Sequence, residues 1–117
     1  MLNEWISVAA KKRHLAHTRE AARLLGVEVE SRRKERRWTE AELAERAGIS
    51  RTTLWKVERG DTTVALGTVF DVATLVGVTL FHDTVADVAS ARQRVSDRLE
   101  LLPDRIRVSA REVNDDF

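Results

Sequence analysis

Between Thr39 and Gly60 the chain reads TEAELAERAGISRTTLWKVERG, and few folds suit this stretch. Leu43, Ala44 and Ala47 fall on one face of a first helix. Gly48, Ile49 and Ser50 interrupt that helix, and Leu54 and Val57 restore helical spacing for a second. The second helix has only two aliphatics to bury. Arg51, Thr52, Trp55 and Lys56 are left for its opposite side.

The punctuation around this pair is explicit. Thr39 followed by Glu42 is a capping box, which satisfies free N–H groups at a helix start. Gly48 ends the first helix and suits a left-handed turn. Ser50 is a good N-cap for the second, and Gly60 a natural residue just past its end. Upstream, Leu25, Val29 and the stems of Arg32 and Arg33 predict a helix from Thr18 to about Arg36, with Trp38 as a large apolar plug behind it. Downstream, a helix from about Ala65 to Val76 is expected to bury Leu66, Val69, Phe70, Ala73 and Val76. Gly77 stops it. VTLFHD then leads to a long helix from about Asp83 to Leu102, ended by Pro103. Residues 3–17 have weaker periodicity, with Leu2, Trp5, Ile6 and Ala9 able to share a face. The tail DRIRVSAREVNDDF has a brief period-two run at Ile106 and Val108. One Pro and five Gly in 117 residues leave little room for a many-turned β protein.

Two short helices joined by a tight turn make a helix-turn-helix. Ala44 must be small where the second helix crosses it. Ile49, Leu54 and Val57 hold that helix to the core, so its other face points outward. A major groove accepts one α-helix, whose N-terminal residues reach base edges.

Residues 25–80 resemble the Xre/Cro-type helix-turn-helix family. The matching residues are LG at 25–26, Arg33, T-x-A-E-L-A at 39–44, AGIS at 47–50, ERG at 58–60 and VATLVGV at 72–78. The resemblance implies an all-α, five-helix domain whose third helix reads DNA. It also implies a buried ion pair between Arg33 and Glu58. One position departs: the family's Gln after the Thr is Glu40 here, and a carboxylate near phosphates repels. Glu40 is then left to serve the positive end of its helix dipole. ATLVGVTLF and the long helix ending LELLPDRIRVSAREVNDDF further resemble HipB-like antitoxins, the partners of HipA-like Ser/Thr kinase toxins.

Arg51 and Thr52 occupy the base-reading positions. Arg reads guanine O6 and N7 with a bidentate fork, and Thr52 suits a thymine methyl or an acceptor. Lys56 reaches a phosphate or a neighbouring base. Trp55 either stacks on the sugar–phosphate backbone or shields part of the helix. The hydroxyls of Ser50 and Thr53 lie near phosphate, with Ser50 first a cap. Thr39 and Arg59 complete the expected DNA-binding set, and Arg32, Lys34, Arg36 and Arg37 are candidates for added backbone attraction. The charge is divided accordingly. Residues 11–59 hold 14 Lys/Arg against 8 Asp/Glu, whereas residues 60–117 hold 6 Arg against 10 acids. A basic half suits a polyanion.

On the long helix, Phe81, Val85, Val88, Arg92, Val95, Leu99 and Leu102 alternate four and three apart. This is a heptad seam interrupted by Arg92. Phe81 and Val85 are expected to pack on the chain's own core. Val88, Val95, Leu99 and Leu102 are expected to form a homodimer interface, which would let two recognition helices read a near-palindromic double-stranded operator. The acidic tail, ending in Phe117, is either a solubilising end or a docking peptide for a toxin.

His14 and His17 lack a third ligand, so no metal site is expected. No catalytic set and no phosphate-cradling loop appears, so neither an enzyme nor a cofactor is expected. The absence of Cys and of an apolar leader or membrane span fits a cytoplasmic protein. The organisation expected is an N-terminal helical extension (1–20), a helix-turn-helix domain (21–82), a dimerisation helix (83–102) and a flexible tail (103–117). The function expected is a sequence-specific transcriptional repressor that autoregulates its operon as the antitoxin of a HipA-like kinase. The alternative is a stand-alone Xre-type dimeric regulator without a toxin partner.

Overall fold

A computed structural model describes residues 12–104. The expected contacts of Leu2, Trp5, Ile6, Ala9, Ile106 and Val108, and those of the tail beyond Asp104, lie outside the described residues. Five helices are present among them, and no strand: α1 (Ala16–Glu35), α2 (Glu40–Ala47), α3 (Arg51–Glu58), α4 (Leu66–Leu75) and α5 (Val85–Glu100). The chain divides between Leu80 and Phe81 into two compact units. The first holds α1 to α4, and the second holds α5.

The first unit closes on eight buried side chains: Val29 of α1, Leu43 and Ala44 of α2, Leu54 and Val57 of α3, and Val72, Ala73 and Val76 at the end of α4. Each fully buried Leu or Val contributes about 1.5–3 kcal/mol relative to exposure. Leu25, Trp38, Ala47, Ile49 and Val69 are half-buried against this cluster. Helix α1 shows why its stripe is narrow. Only Gly26, Val29 and Arg33 are buried in it, spaced three and four apart.

The helix starts follow their caps. Thr39 Oγ1 accepts the Glu42 N–H at 3.0 Å, and Glu42 Oε1 accepts the Thr39 N–H at 2.8 Å. Ser50 Oγ accepts the Thr53 N–H at 3.0 Å. Gly48 has φ 70°, the left-handed conformation that turns α2 into α3.

Two packing expectations need correction. Leu66 is exposed rather than buried. It sits in the first turn of α4, at the margin of the stripe set by Val72, Ala73 and Val76, and lines an apolar groove with Leu25, Val57 and Phe70. Phe81 and Val85, at the start of the second unit, are likewise exposed rather than buried, at 78% and 87%. In the second unit, Thr84 caps α5 by accepting the Asp87 N–H at 3.0 Å. No residue of α5 is buried. Val88, Val95 and Leu99 are exposed along it, and Leu102, expected on the same helix, lies exposed just past its end at Glu100.

Candidate nucleic-acid interface

The direction in which α3 faces is set by what it buries. Leu54 and Val57 point into the core, and Glu58 is held from behind by α1. Glu58 Oε2 accepts the Arg33 Nε–H at 2.7 Å, and Oε1 accepts from Nη2 at 3.2 Å. Both side chains are over nine-tenths buried. The hydrogen bonds and charge of Glu58 raise the Arg33 guanidinium above its ordinary pKa. Arg33 also donates from Nη1 to the Trp38 carbonyl at 3.0 Å, so the same side chain ties down the entry to α2. Gly26 lets α1 and α3 meet. A Cβ there would stand 2.5 Å from the Glu58 carbonyl oxygen and 2.7 Å from that of Val57.

With that back face locked, Arg51, Thr52, Trp55 and Lys56 are exposed on the front. Arg51, Thr52 and Trp55 line a shallow depression together with Glu40 from the start of α2. Trp55, 49% exposed, carries the Arg59 guanidinium over its ring at 4.9 Å. The stack fixes a large apolar plate and a cation side by side at the end of α3. Thr53 is half-buried. The Ser50 hydroxyl donates to Thr53 Oγ1 at 2.9 Å while accepting the cap bond, and the Thr39 hydroxyl is engaged in its own cap. Of the expected set, Arg51, Thr52 and Trp55 share the depression and Arg59 joins through its stack on Trp55, while Thr39 and Ser50 cap the two helices and Thr53 is half-buried against Ser50.

Glu40 does more than complement the α2 dipole. Its carboxylate lies 4.0 Å from Arg33 Nη2, at the edge of the buried pair. The charge is therefore shared between the recognition depression and the ion pair behind it.

Three of the four additional basic residues of α1 and its exit have structural partners instead of a free face. Arg32 donates to the Gly77 carbonyl at 3.0 Å. Lys34 pairs with Glu30 at 2.9 Å, and that contact lowers the Glu30 pKa. Arg36 lies over the Trp38 ring at 5.7 Å, with Arg46 over the same ring at 4.2 Å. Sequence spacing does not reveal either stack on Trp38, because the three residues belong to α2 and to the turn before it. The stack of Arg59 on Trp55 does have a signal in the sequence, since the two lie four residues apart across the end of α3.

A short helix with its aliphatics buried, its N-terminus capped and cations outward, crossed by a second short helix at a left-handed Gly, defines a DNA-binding helix-turn-helix. The family model described as Helix-turn-helix matches residues 29–82, the segment that runs from the second half of α1 through α4. The match supports a DNA-binding transcription regulator. No curated protein and no solved structure matched the chain. Among the described residues, no group of three or more His, Cys, Asp or Glu could hold a metal, and no helix is long and apolar enough to cross a membrane.

Proposed function

We propose that the chain is a sequence-specific repressor that binds a near-palindromic operator as a homodimer. The division of α3 carries this reading: Leu54 and Val57 are buried, whereas Arg51, Thr52 and Lys56 stand outward on a scaffold locked by Arg33 and Glu58. Dimerisation is supported by the apolar stripe of α5, whose Val88, Val95 and Leu99 are exposed among the described residues. We further propose that the repressor is the antitoxin of a HipA-like kinase, on the resemblance of ATLVGVTLF and LELLPDRIRVSAREVNDDF to HipB-like chains. A stand-alone regulator shares everything in this reading except the kinase.

The DNA reading is tested by comparing a duplex from upstream of the chain's own gene with a random duplex at physiological salt. Tighter binding to the upstream duplex is expected, and equal affinity would defeat the reading. The antitoxin reading is tested by co-expression with the adjacent reading frame. Rescue of cells from a kinase encoded there supports it. A neighbouring gene that encodes no kinase leaves the stand-alone regulator.

A further inference from the structure

The N-terminal half of α1 and the residues before it carry cations that the recognition face does not account for. Lys12, Arg13, Arg19 and Arg23 line an open depression that they share with Arg59 at the end of α3. Among the described residues, Asp61 is the one carboxylate lining it. Its Oδ1 is engaged with its own loop, accepting the Thr63 N–H at 2.8 Å and the Thr63 hydroxyl at 2.6 Å. Arg23 has an ion pair with Glu20 at 3.4 Å, but both side chains are well exposed. A pair so exposed to water contributes little and leaves the cation available.

The cations converge for structural reasons. Gly60 has φ 76°, and a Cβ there would stand 2.8 Å from the Arg23 Cα. The turn after α3 therefore lies directly against α1, which brings Arg59 beside Arg23. Arg19 Nη1 donates to the His14 carbonyl at 2.6 Å and holds residues 12–14 against the start of the helix. Only one of the five N–H donors of Arg19 is used in that bond.

We infer that this cluster is a phosphate-binding extension of the interface, seated on the DNA strand that borders the major groove beyond the C-terminal end of α3. The inference rests on the reading of α3 as the recognition helix. An eight-residue helix is about 12 Å long, close to the width of a major groove. With the N-terminus of α3 at the base edges, its far end lies toward the flanking backbone. Arg59 lines this depression and stacks on Trp55, which lines the recognition depression, so the two surfaces adjoin. B-DNA presents a negative charge about every 1.7 Å of its axis, so a row of fixed guanidinium groups finds successive phosphates. These contacts carry no sequence information, so the extension adds affinity without changing preference.

The test uses the full chain and two exposed double variants, Arg19→Ala/Arg23→Ala and Lys12→Ala/Arg13→Ala, with Arg51→Ala as the control. Binding to the upstream duplex and to a random duplex is measured across a salt series, alongside hydroxyl-radical footprinting. For Arg19→Ala/Arg23→Ala, the salt slope should fall by about 1.8, at roughly 0.9 per lost phosphate contact. The ratio of upstream to random affinity should stay fixed, and protection should be lost at the outer edges of the footprint. An unchanged slope and footprint in both double variants, with Arg51→Ala still weakening upstream binding, would overturn the extension alone. A wild-type chain that binds neither duplex would overturn the recognition reading and the extension with it.

Discussion

Arg33 and Glu58 form a two-pronged ion pair, 2.7 Å and 3.2 Å long, that joins α1 to the last residue of α3 with only 7% and 6% of the two side chains exposed. The pair sets the angle of the recognition helix from behind. The third bond of Arg33, to the Trp38 carbonyl, extends the same control to α2. Both helices of the helix-turn-helix are thus referenced to one guanidinium.

Glu58→Ala strands that guanidinium inside the domain. Breaking a buried pair by removing one partner costs about 3–5 kcal/mol. The variant should melt at a much lower temperature than the wild type with no DNA present. Thermal unfolding followed by circular dichroism checks this, and an unaltered melting temperature would show that the pair does not stabilise the fold.

Two glycines should respond to alanine in opposite directions. At Gly26 the new methyl meets backbone carbonyls of α3 at 2.5 Å and 2.7 Å, and backbone cannot step aside as a flexible side chain can. Overpacking of this kind costs about 1–3 kcal/mol. Gly67 lies in α4 with nothing within 4 Å of the added atom. Gly67→Ala should stabilise by about 0.5–1 kcal/mol, because alanine loses less backbone entropy in a helix. Urea unfolding of the two variants separates the effects, and a neutral Gly26→Ala would mean that α1 and α3 can slide apart freely.

Much of the first unit was legible in the order of the residues. Thr39 with Glu42, and Ser50 before Arg51, announce helix starts through local hydrogen bonds, and local chemistry survives folding unchanged. The Arg33–Glu58 pair is separated by 25 residues, and it came from family resemblance rather than from spacing. What stayed hidden depends on where the core ends. Leu66, Phe81 and Val85 fit an apolar pattern, but a pattern does not say how many residues a small core can cover. The arginines of α1 were hidden for a similar reason. Arg32 and Arg36 look like free cations until folding brings the Gly77 carbonyl and the Trp38 ring to them.

On the recognition face, Arg51 and Lys56 should fail in different ways. Arg51→Ala removes a base-reading fork, costing about 1–3 kcal/mol on the operator and relaxing preference at one base pair. Lys56→Ala should weaken all sequences alike and flatten the salt slope by about one unit. Fluorescence anisotropy on operator and random duplexes distinguishes the two patterns. Identical losses on both duplexes for Arg51→Ala would remove it from base reading.

Glu40→Gln tests the carboxylate at the edge of the recognition depression. Removing that charge beside Arg51 and Thr52 eliminates repulsion toward phosphate, and an amide can donate where a carboxylate cannot. DNA should bind more tightly at low salt, with a smaller gain at high salt because the repulsion is screened. Stability should fall slightly, since Arg33 loses a partner at 4.0 Å that is partly exposed. Weaker DNA binding by a folded Glu40→Gln would indicate that the carboxylate takes part in the contact.

Leu99 gives the sharpest test of the α5 seam. Val88, Val95 and Leu99 recur at heptad spacing on a helix with no buried residue, Leu102 continues the spacing just past its end, and Leu99 itself is 65% exposed. In a homodimer the stripe would be covered by its own copy, the self-complementary contact that twofold symmetry requires. Leu99→Asp then places a carboxylate in an apolar contact, where an unpaired charge is strongly unfavourable. The single chain should fold as before, because Leu99 is well exposed. Light scattering should report a monomer, and operator affinity should drop because each half-site is bound alone, while Arg51 and Lys56 are untouched. A Leu99→Asp chain that keeps the mass of a dimer would refute the seam. One that becomes a monomer but holds its operator affinity would separate dimerisation from DNA reading.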